Sequence, residues 1–316
     1  SKWQNSKFSI MFNSGSSANL AIIQTLLNLK KIKKGDKIAV SALTWSTNIM
    51  PIIQLGLEPI LIDVSLDTLN VNSQNFLDSI KKNNIKALFI TNLLGFCDDL
   101  DEIFKICKKN NIIMLEDNCE SLGSSIKLKK LGNFSLMSSF SLYVGHHLSA
   151  VEGGIVSTSD KECANMLKMV RAHGWARSLS TNTQNLLMKK HKVNLFFNQY
   201  TFYDLGYNLR PNEITGFIAS SQLPFIDEII DKREENFKYF YNIINESKNI
   251  YSLNLEHMNR ISNFAYPLAF KSKKNFLNAM KIFNKNQIEI RPIVGGNIAN
   301  QPFFKNYFKT KYNLSN

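Results

Sequence analysis

Two adjacent histidines, His146 and His147, lie in the segment SLYVGHHLSAVEGG, which covers residues 141–154. Ser141 stands five residues before His146, and the EGG motif begins with Glu152, six residues after it. An imidazole gains and loses a proton near neutral pH, so a histidine in such a loop can act as a general acid or base. The segment is therefore the first candidate for catalytic chemistry.

Two carboxylates, Glu116 and Asp117, follow an apolar run in the segment NIIMLEDNCES. A carboxylate at the end of a strand is often an ordinary solvated residue, and for one residue alone we prefer that interpretation. Its functional interpretation is an acid that keeps a pyridine nitrogen protonated, so that the ring withdraws electrons.

Two further segments have polar turns before helical patterns. In FNSGSSANLAIIQTLL, residues 12–27, Gly15, Ser16 and Ser17 would let backbone N–H groups close around a phosphate at a helix N-terminus. A Gly-Ser turn is more often only a helix cap, so this pattern alone is weak. In GYNLRPNEITGFIASSQL, Asn208 and Arg210 precede a helix.

The elements that must position these residues alternate between buried strands and helices. This alternation predicts an α/β fold with a mostly parallel sheet covered on both faces, and ligands bind such sheets at the carboxyl ends of the strands. Apolar runs predict strands within residues 36–43, 57–64, 85–93, 111–117 and 154–159. Helical patterns predict helices between them, and further helices within residues 160–174 and 212–245.

The remaining segments divide the chain into two domains. Residues 1–232 are expected to form a large domain, and residues 233–316 a smaller C-terminal domain that starts with a strand at 263–272 and then a helix. The polar segment 178–197 predicts a loop.

Composition narrows the class of partner. The net charge of +13 comes from scattered lysines, and no nucleic-acid-binding motif accompanies them, so attraction to a small phosphorylated substrate explains it as well as nucleic acid would. Apolar runs are too short for a membrane span, and no signal peptide is apparent, so we expect a cytoplasmic protein. The chain has four widely spaced cysteines, Cys97, Cys107, Cys119 and Cys163. This spacing suggests neither disulfides nor a metal site.

The order and spacing of these segments resemble the DegT/DnrJ/EryC1/StrS family of sugar aminotransferases over essentially the whole chain. The resemblance implies fold type I of the pyridoxal phosphate enzymes, with a smaller C-terminal α+β domain. By comparison with the family, it also implies that the large domain is incomplete at its N-terminus and the small domain at its C-terminus. It implies that Trp45 stacks on the cofactor ring and that Asp117 pairs with the pyridine nitrogen. It assigns the cofactor phosphate to Gly15, Ser16, Ser17 and Ser141.

The resemblance also implies a homodimer with shared active sites. In the family's pattern, Asn208 of one subunit would reach the cofactor phosphate held by the other subunit. No nucleic acid and no membrane would take part.

Two departures from the family pattern are informative. His146 stands where the family has the lysine that bonds covalently to the cofactor, and this spacing favours His146 over His147 as the reactive ring. An imidazole cannot form that bond but can exchange protons, so ordinary transamination is disfavoured. Glu120 stands where the aminotransferases typically carry glutamine. The motifs RAHGWAR, GYNLRP and IRPIVGGN accompany these changes in a narrower branch, the nucleotide-sugar C3 dehydratases.

The resemblance to this branch implies a nucleotide-linked 4-keto-6-deoxyhexose substrate, with GDP and mannose as the expected nucleotide and sugar. It implies that glutamate converts pyridoxal phosphate to pyridoxamine phosphate, and that His146, Asp117 and Glu120 carry the chemistry. A sister group binds a [2Fe-2S] cluster with clustered cysteines before the GYN motif, but residues 164–208 contain no cysteine, so no cluster is expected.

Three other residues are candidate substrate contacts: His147, Arg210 and Arg291. The arginines could bind the carboxylate of glutamate or the sugar diphosphate, and either could equally be a surface or ion-pairing residue.

Two alternatives to dehydration stay open from the residues. One is a nucleotide-sugar 4-aminotransferase-like protein, which the missing lysine disfavours. The other is a homologue that binds the cofactor without turnover. Simple loss of the lysine would not account for Glu120 together with the retained Asp117 and Ser141.

Overall fold

The computed structural model describes residues 1–308 and forms a mixed α/β fold. Its strands are β1 (Phe8–Phe12), β2 (Lys37–Ser41), β3 (Glu58–Ile62), β4 (Ile85–Thr91), β5 (Ile113–Asp117), β6 (Ser125–Ile126), β7 (Lys129–Lys130), β8 (Met137–Ser141), β9 (Gly154–Thr158) and β10 (Met258–Arg260). Its α-helices are α1 (Gly15–Asn28), α2 (Met50–Gln54), α3 (Ser73–Lys82), α4 (Leu100–Lys109), α5 (Lys161–Arg171), α6 (Thr181–His191), α7 (Leu195–Asn198), α8 (Glu213–Gln222), α9 (Ile226–Ile244), α10 (Lys273–Lys285) and α11 (Pro302–Tyr307).

The main sheet has the strand order β1-β9-β8-β5-β4-β2-β3. Strands β3, β2, β4, β5 and β8 run parallel to one another, whereas β9 is antiparallel to both β8 and β1. The carboxyl ends of β5 and β8 therefore meet the start of β9 at one edge. In the β8 and β9 pair, Ser141 lies opposite Gly154. The predicted mostly parallel sheet is confirmed.

Apolar clusters cover both faces of the sheet. Alternate residues of β2 point to opposite faces, so Val40 joins the cluster beneath α1 and α5, while Ala39 joins the cluster beneath α3 and α4. Burial on both faces explains why these strands have nearly continuous apolar sequences. Helix α4 has acidic residues in its first turn and lysines in its last, as the helix dipole favours.

The prediction of a loop at residues 178–197 is wrong, because this segment forms α6 and α7. The Ser180 side chain caps α6 by accepting from the Thr183 N–H, and Lys192 ends it in a left-handed conformation with φ of 55°. No residue of α6 is buried, so the helix has no apolar face to mark it in the sequence.

The prediction of a strand at residues 263–272 is also wrong. The only ladder contact of this segment among the described residues is an isolated bridge between Ile250 and Phe270. The helical stretch predicted at 212–245 is interrupted at Leu223–Phe225, where Pro224 lies in a 3-10 turn between α8 and α9.

The predicted domain boundary after residue 232 falls inside α9, and the last part of the predicted small domain, residues 309–316, lies outside the described residues. Strand β10 from the C-terminal part pairs with β6 of the N-terminal part, so a small three-stranded sheet joins the two. Within residues 1–308, no helix combines the length and the apolar composition needed to cross a membrane.

Candidate active site

A cavity of about 560 Å³ opens at the carboxyl edge of the main sheet. One side is formed by the ends of β5 and β8, the N-terminus of α1 and the loop that carries His146. The other side is formed by residues 264–267 and 291–294 from the C-terminal part of the chain. The cavity thus collects residues that lie far apart in sequence.

Asp117, the last residue of β5, faces this cavity and is only 4% exposed. Its Oδ2 accepts hydrogen bonds from the side-chain amides of Asn19 at 2.9 Å and Asn48 at 2.8 Å, and its Oδ1 accepts from the Cys119 N–H at 2.9 Å. These donors fix the orientation of the carboxylate.

The preceding carboxylate, Glu116, points to the opposite face of the sheet. It accepts from the N–H groups of Gly132 and Phe134 and from the Asn92 amide, and therefore orders the turn before β8. The period of two along the strand thus separates a structural carboxylate from one that faces the cavity.

Glu120 lies beside Asp117 in the cavity, and its Oε2 accepts from the Leu94 N–H at 2.9 Å. Burial raises the pKa of Glu120 to about 7; the Leu94 hydrogen bond opposes this rise, the charge of Asp117 adds to it, and Arg291 opposes it. Near neutral pH this carboxyl group can therefore hold a proton and donate a hydrogen bond.

His146 projects into the cavity between two aromatic rings. The centroid of its ring lies 5.6 Å from that of Tyr143 and 5.5 Å from that of Phe264. Burial lowers the pKa of His146; the carboxylate of Asp117 opposes the shift, whereas the charges of Arg291 and Arg233 add to it. The neutral imidazole favoured by these effects is the form that accepts a proton.

His147 lies away from the cavity. Its side chain is 3% exposed, and its Nε2 lies 2.8 Å from the Ser262 carbonyl oxygen. A carbonyl can only accept, so Nε2 carries the proton. Burial lowers the pKa of His147 to about 3, which keeps the ring neutral.

A narrow cradle lies at the N-terminus of α1, between Ser14, Gly15 and Ser16 on one side and Ser141 on the other. A Cβ on Gly15 would lie 3.0 Å from Cys119 Sγ and 3.0 Å from the Ser141 Cβ, so the cradle has no room for a side chain there. The free N–H groups and the dipole of α1 favour an anion in this cradle.

Ser17 has a different place from its neighbours, because its N–H donates to the Ser14 side chain at 3.0 Å as part of the α1 cap. Trp45 is 56% exposed and borders the cavity, where its ring is free to stack on a ligand.

Comparison with known proteins decides the family. The model of the family described as "DegT/DnrJ/EryC1/StrS aminotransferase family" matches residues 1–316. This protein belongs to that family. The GDP-4-keto-6-deoxy-D-mannose 3-dehydratase of Escherichia coli O55:H7 (strain CB9615 / EPEC) is 36% identical over 318 residues, which cover 97% of this chain and 78% of that protein. The predicted resemblance is therefore confirmed.

Two solved structures of GDP-4-keto-6-deoxymannose-3-dehydratase are similar to this member of the DegT/DnrJ/EryC1/StrS family. One is a histidine-to-asparagine mutant with bound GDP-perosamine, with a TM-score of 0.86, 34% identity, and coverage of 97% of this chain and 79% of that chain. The other holds a trapped PLP-glutamate geminal diamine, with a TM-score of 0.87, 34% identity, and coverage of 99% and 80%.

Not every site residue predicted for this family member lines the cavity of its own chain. Arg291 does, and its guanidinium lies 5.2 Å from the centroid of the Phe264 ring. Asn208 and Arg210 are exposed on the surface, where the Arg210 Nε donates to Asn208 Oδ1 at 3.1 Å.

Part of the cavity is formed by residues that no sequence motif predicted. Tyr143 and Glu152 lie within segments already singled out, and the absence of a distinct motif at Cys119 hid its contact with the cradle. The wall at 264–267 has no sequence signal of its own, because the long-range fold brings it there. Within residues 1–308, no group of three or more His, Cys, Asp and Glu side chains is arranged to hold a metal ion.

Proposed function

We propose that this protein is a nucleotide-sugar 3-dehydratase that uses pyridoxal phosphate and pyridoxamine phosphate and takes glutamate as the amino donor. Its substrate would be GDP-4-keto-6-deoxymannose, and its product a 4-keto-3,6-dideoxy sugar on the route to colitose in O-antigen. The observation that carries the proposal is the imidazole of His146 in the cavity beside Asp117 and Glu120, while the described residues that line this cavity include no lysine.

The cavity residues fit a phosphorylated pyridine cofactor. The cradle at Gly15, Ser16 and Ser141 would hold its phosphate, with Ser17 ordering the turn. Trp45 would stack on the ring, and the fixed carboxylate of Asp117 would hold the pyridine nitrogen protonated. When bound, this cofactor supplies an amine for the sugar ketone and a ring that withdraws electrons.

His146 would then move the proton that drives the elimination. Its neutral imidazole would accept a proton from a carbon atom at the reacting centre. It would then deliver this proton to the C3 hydroxyl oxygen of the sugar, which leaves as water. Glu120 would stabilise the far side of the cofactor's pyridine ring through a hydrogen bond. Glutamate, oxidised to 2-oxoglutarate as its amino group passes to the cofactor, would supply the electron pair that removal of the C3 hydroxyl consumes. Hydrolysis after the elimination would release that amino group as ammonia.

Arg291 is the best-placed described arginine for an anionic part of the substrates, because it reaches the cavity and is exposed. Its guanidinium can form paired hydrogen bonds to the carboxylate of glutamate or to a diphosphate. The net charge of +13 would attract either anion over longer distances.

We further propose a homodimer in which Asn208, and with it Arg210, serves the active site of the other subunit. Support comes from the exposed apolar surface of residues that flank Asn208 in the sequence. These side chains are 60% to 78% exposed and include Leu195, Phe196, Phe197, Phe202, Ile214 and Phe217. Surfaces of this kind are typical of contacts between subunits.

The decisive experiment compares unaltered protein with His146→Lys and His146→Asn. Pyridoxal phosphate and glutamate are added while the absorbance of the cofactor is followed, and ammonia is then measured after addition of GDP-4-keto-6-deoxymannose. We expect glutamate to convert the cofactor to its amine form, and ammonia to appear only with His146 intact.

A different result would favour an aminotransferase. If no keto sugar releases ammonia although the cofactor binds, and His146→Lys gains transfer of the amino group to the sugar, the dehydratase proposal is wrong.

A further inference from the structure

The loop that carries His146 is weakly held by its own contacts. The His146 N–H donates to the Tyr143 carbonyl at 2.9 Å, but the ring itself has a buried Nδ1 without a hydrogen-bond partner among the described residues. Tyr143 and Val144 are exposed to 45% and 59%. Contacts from outside the loop must therefore set the position of the ring.

Arg233 of α9 provides one such contact. Its Nη2 donates to the His146 carbonyl at 2.9 Å, and its Nη1 donates to the Asn263 carbonyl at 3.0 Å. The rigid fork of a guanidinium can hold two carbonyl groups at once, which an ammonium on a flexible chain does less well. Arg233 is partly buried, so water competes little for these bonds.

His147 provides the second contact, through the bond from its Nε2 to the Ser262 carbonyl at 2.8 Å. Ser262 is in turn held by the core, because its N–H donates to Ser124 Oγ at 2.9 Å and that hydroxyl donates to the Gly95 carbonyl at 2.7 Å. Consecutive loop residues are thus tied to consecutive residues, 262 and 263, of one segment in the C-terminal part of the chain. The next residue, Phe264, packs against the His146 ring.

We propose that Arg233 and His147 are positioning residues that fix the imidazole of His146 against the 262–264 segment for proton transfer, a role that rests on the proposed dehydratase function. We call these two residues and the carbonyls of 262 and 263 the loop clamp. The clamp joins the loop that carries His146 to the C-terminal wall of the cavity. It explains why a second histidine follows the first but points away from the substrate.

The loop clamp also affects the protonation of His146. The charged groups that face the His146 ring are Asp117 at the end of β5, Arg291 from the opposite wall, and Arg233 from α9. The charge of Arg233 and the burial that the clamp maintains both favour the neutral ring. Loss of Arg233 should therefore raise the pKa of His146 and move the acidic limb of the rate profile to higher pH.

The test uses two matched pairs of variants and a control, all in the protein loaded with pyridoxal phosphate. Arg233→Met removes charge and fork, whereas Arg233→Lys keeps the charge. His147→Leu removes the donor, whereas His147→Gln retains an amide that can donate to the Ser262 carbonyl. Lys232→Met is the control, because Lys232 is the neighbouring cation on α9 but is exposed and paired with Glu235.

We expect Arg233→Met, Arg233→Lys and His147→Leu to lower kcat for ammonia release at least about tenfold, with little change in KM or cofactor affinity, because small displacements of a catalytic group are costly. His147→Gln should restore most of the rate. The acidic limb should move to higher pH in Arg233→Met but much less in Arg233→Lys, and Lys232→Met should behave as the unaltered protein.

A second measurement does not depend on turnover. The five histidines are few enough to follow individually by NMR with labelled histidine, and the pKa of His146 is read from its titration in each variant. If that pKa and kcat are the same in Arg233→Met as in Lys232→Met, the clamp proposal is wrong. It is also wrong if the variants lose cofactor binding and activity together and His147→Gln rescues neither.

The two proposals fail in different ways. If the unaltered protein releases no ammonia, the dehydratase function fails, and the NMR titration still decides whether the clamp controls His146.

Discussion

At the scale of single residues, burial acts in opposite directions on the two titrating groups of the cavity. It lowers the pKa of His146 and raises that of Glu120 to about 7, because a poorly solvated site favours the neutral form of each. A neutral base and a carboxyl group that can donate a hydrogen bond thus line the same cavity as Asp117. An elimination that moves one proton needs such a base.

The raised pKa of Glu120 predicts a pH-dependent cost in stability. The folded protein retains this proton where the unfolded chain, with a carboxyl pKa of 4.5, has released it. The free energy of unfolding should therefore fall as pH rises from about 4.5 to about 7 and level off above. Glutamine does not titrate, so the free energy of unfolding of Glu120→Gln should fall less over this pH range than that of the unaltered protein. The difference between the two decreases should be up to about 3 kcal/mol.

Urea unfolding of the cofactor-free protein and of Glu120→Gln, each at about pH 5 and about pH 8, measures this difference. Parallel changes in the two proteins would show that the Glu120 pKa is not raised.

At the scale of elements, the site depends on how closely β9 approaches the start of α1. A Cβ on Gly154, the first residue of β9, would overlap the Ser14 carbonyl oxygen and crowd the Gly15 N–H. The glycine therefore allows the strand to lie directly behind the cradle at the N-terminus of α1. This contact gives a physical reason for the last glycine of the EGG motif.

Gly154→Ala should consequently separate β9 from α1. We expect a loss of about 3 kcal/mol or more in the free energy of unfolding, since backbone atoms cannot yield to the new methyl group. Affinity for pyridoxal phosphate should fall as well, because the cradle loses its shape. Denaturant unfolding and a fluorescence titration with the cofactor measure the two effects.

Ile155→Val is the control for this prediction. It changes the next position of the same strand and adds no atom near Ser14, so it should cost only about 1 kcal/mol. Equal effects of the two substitutions would mean that the close approach is unimportant.

At the scale of the whole molecule, one chain encloses a cavity but leaves part of the predicted site outside it. Asn208 and Arg210 lie on the surface, and exposed aromatic side chains such as Phe202 and Phe217 flank them in the sequence. A second copy of the chain would cover this apolar surface and bring Asn208 to the other cavity. An isologous dimer supplies such an exchange twice, once at each site.

Hybrid dimers test the sharing of sites. His146→Asn and Asn208→Ala should each be nearly inactive alone, but a hybrid of the two chains has one site with both residues intact. Random mixing by co-expression should recover about a quarter of the activity of the unaltered protein, because half of the dimers are hybrids with one good site of two. Ammonia release and sedimentation mass are measured together.

The control mixes His146→Asn with Asp117→Asn. Each of these substitutions damages the cavity of the chain that carries it, so both sites of a hybrid dimer are defective. No recovery should occur there. A dimeric mixture with Asn208→Ala that also recovers nothing would place Asn208 in the site of its own chain.

The sequence by itself determined the parts of this protein that depend on local patterns. Continuous apolar runs predicted β2 to β5, since strands buried on both faces need such residues. The spacing of Ser141, His146 and Glu152 directed attention to the loop that carries His146. The substitution of histidine for the family's lysine, read beside Glu120, led to the proposed elimination.

Only the tertiary structure decided which polar groups meet. It turned Asp117 to the cavity and Glu116 away, tied His147 to Ser262, and brought residues 264–267 and 291–294 over the site. It also showed helices at 181–191 and 195–198, where the exposed surface gives no apolar period. Burial, and with it the pKa of each group, depends on long-range packing, which no local pattern records.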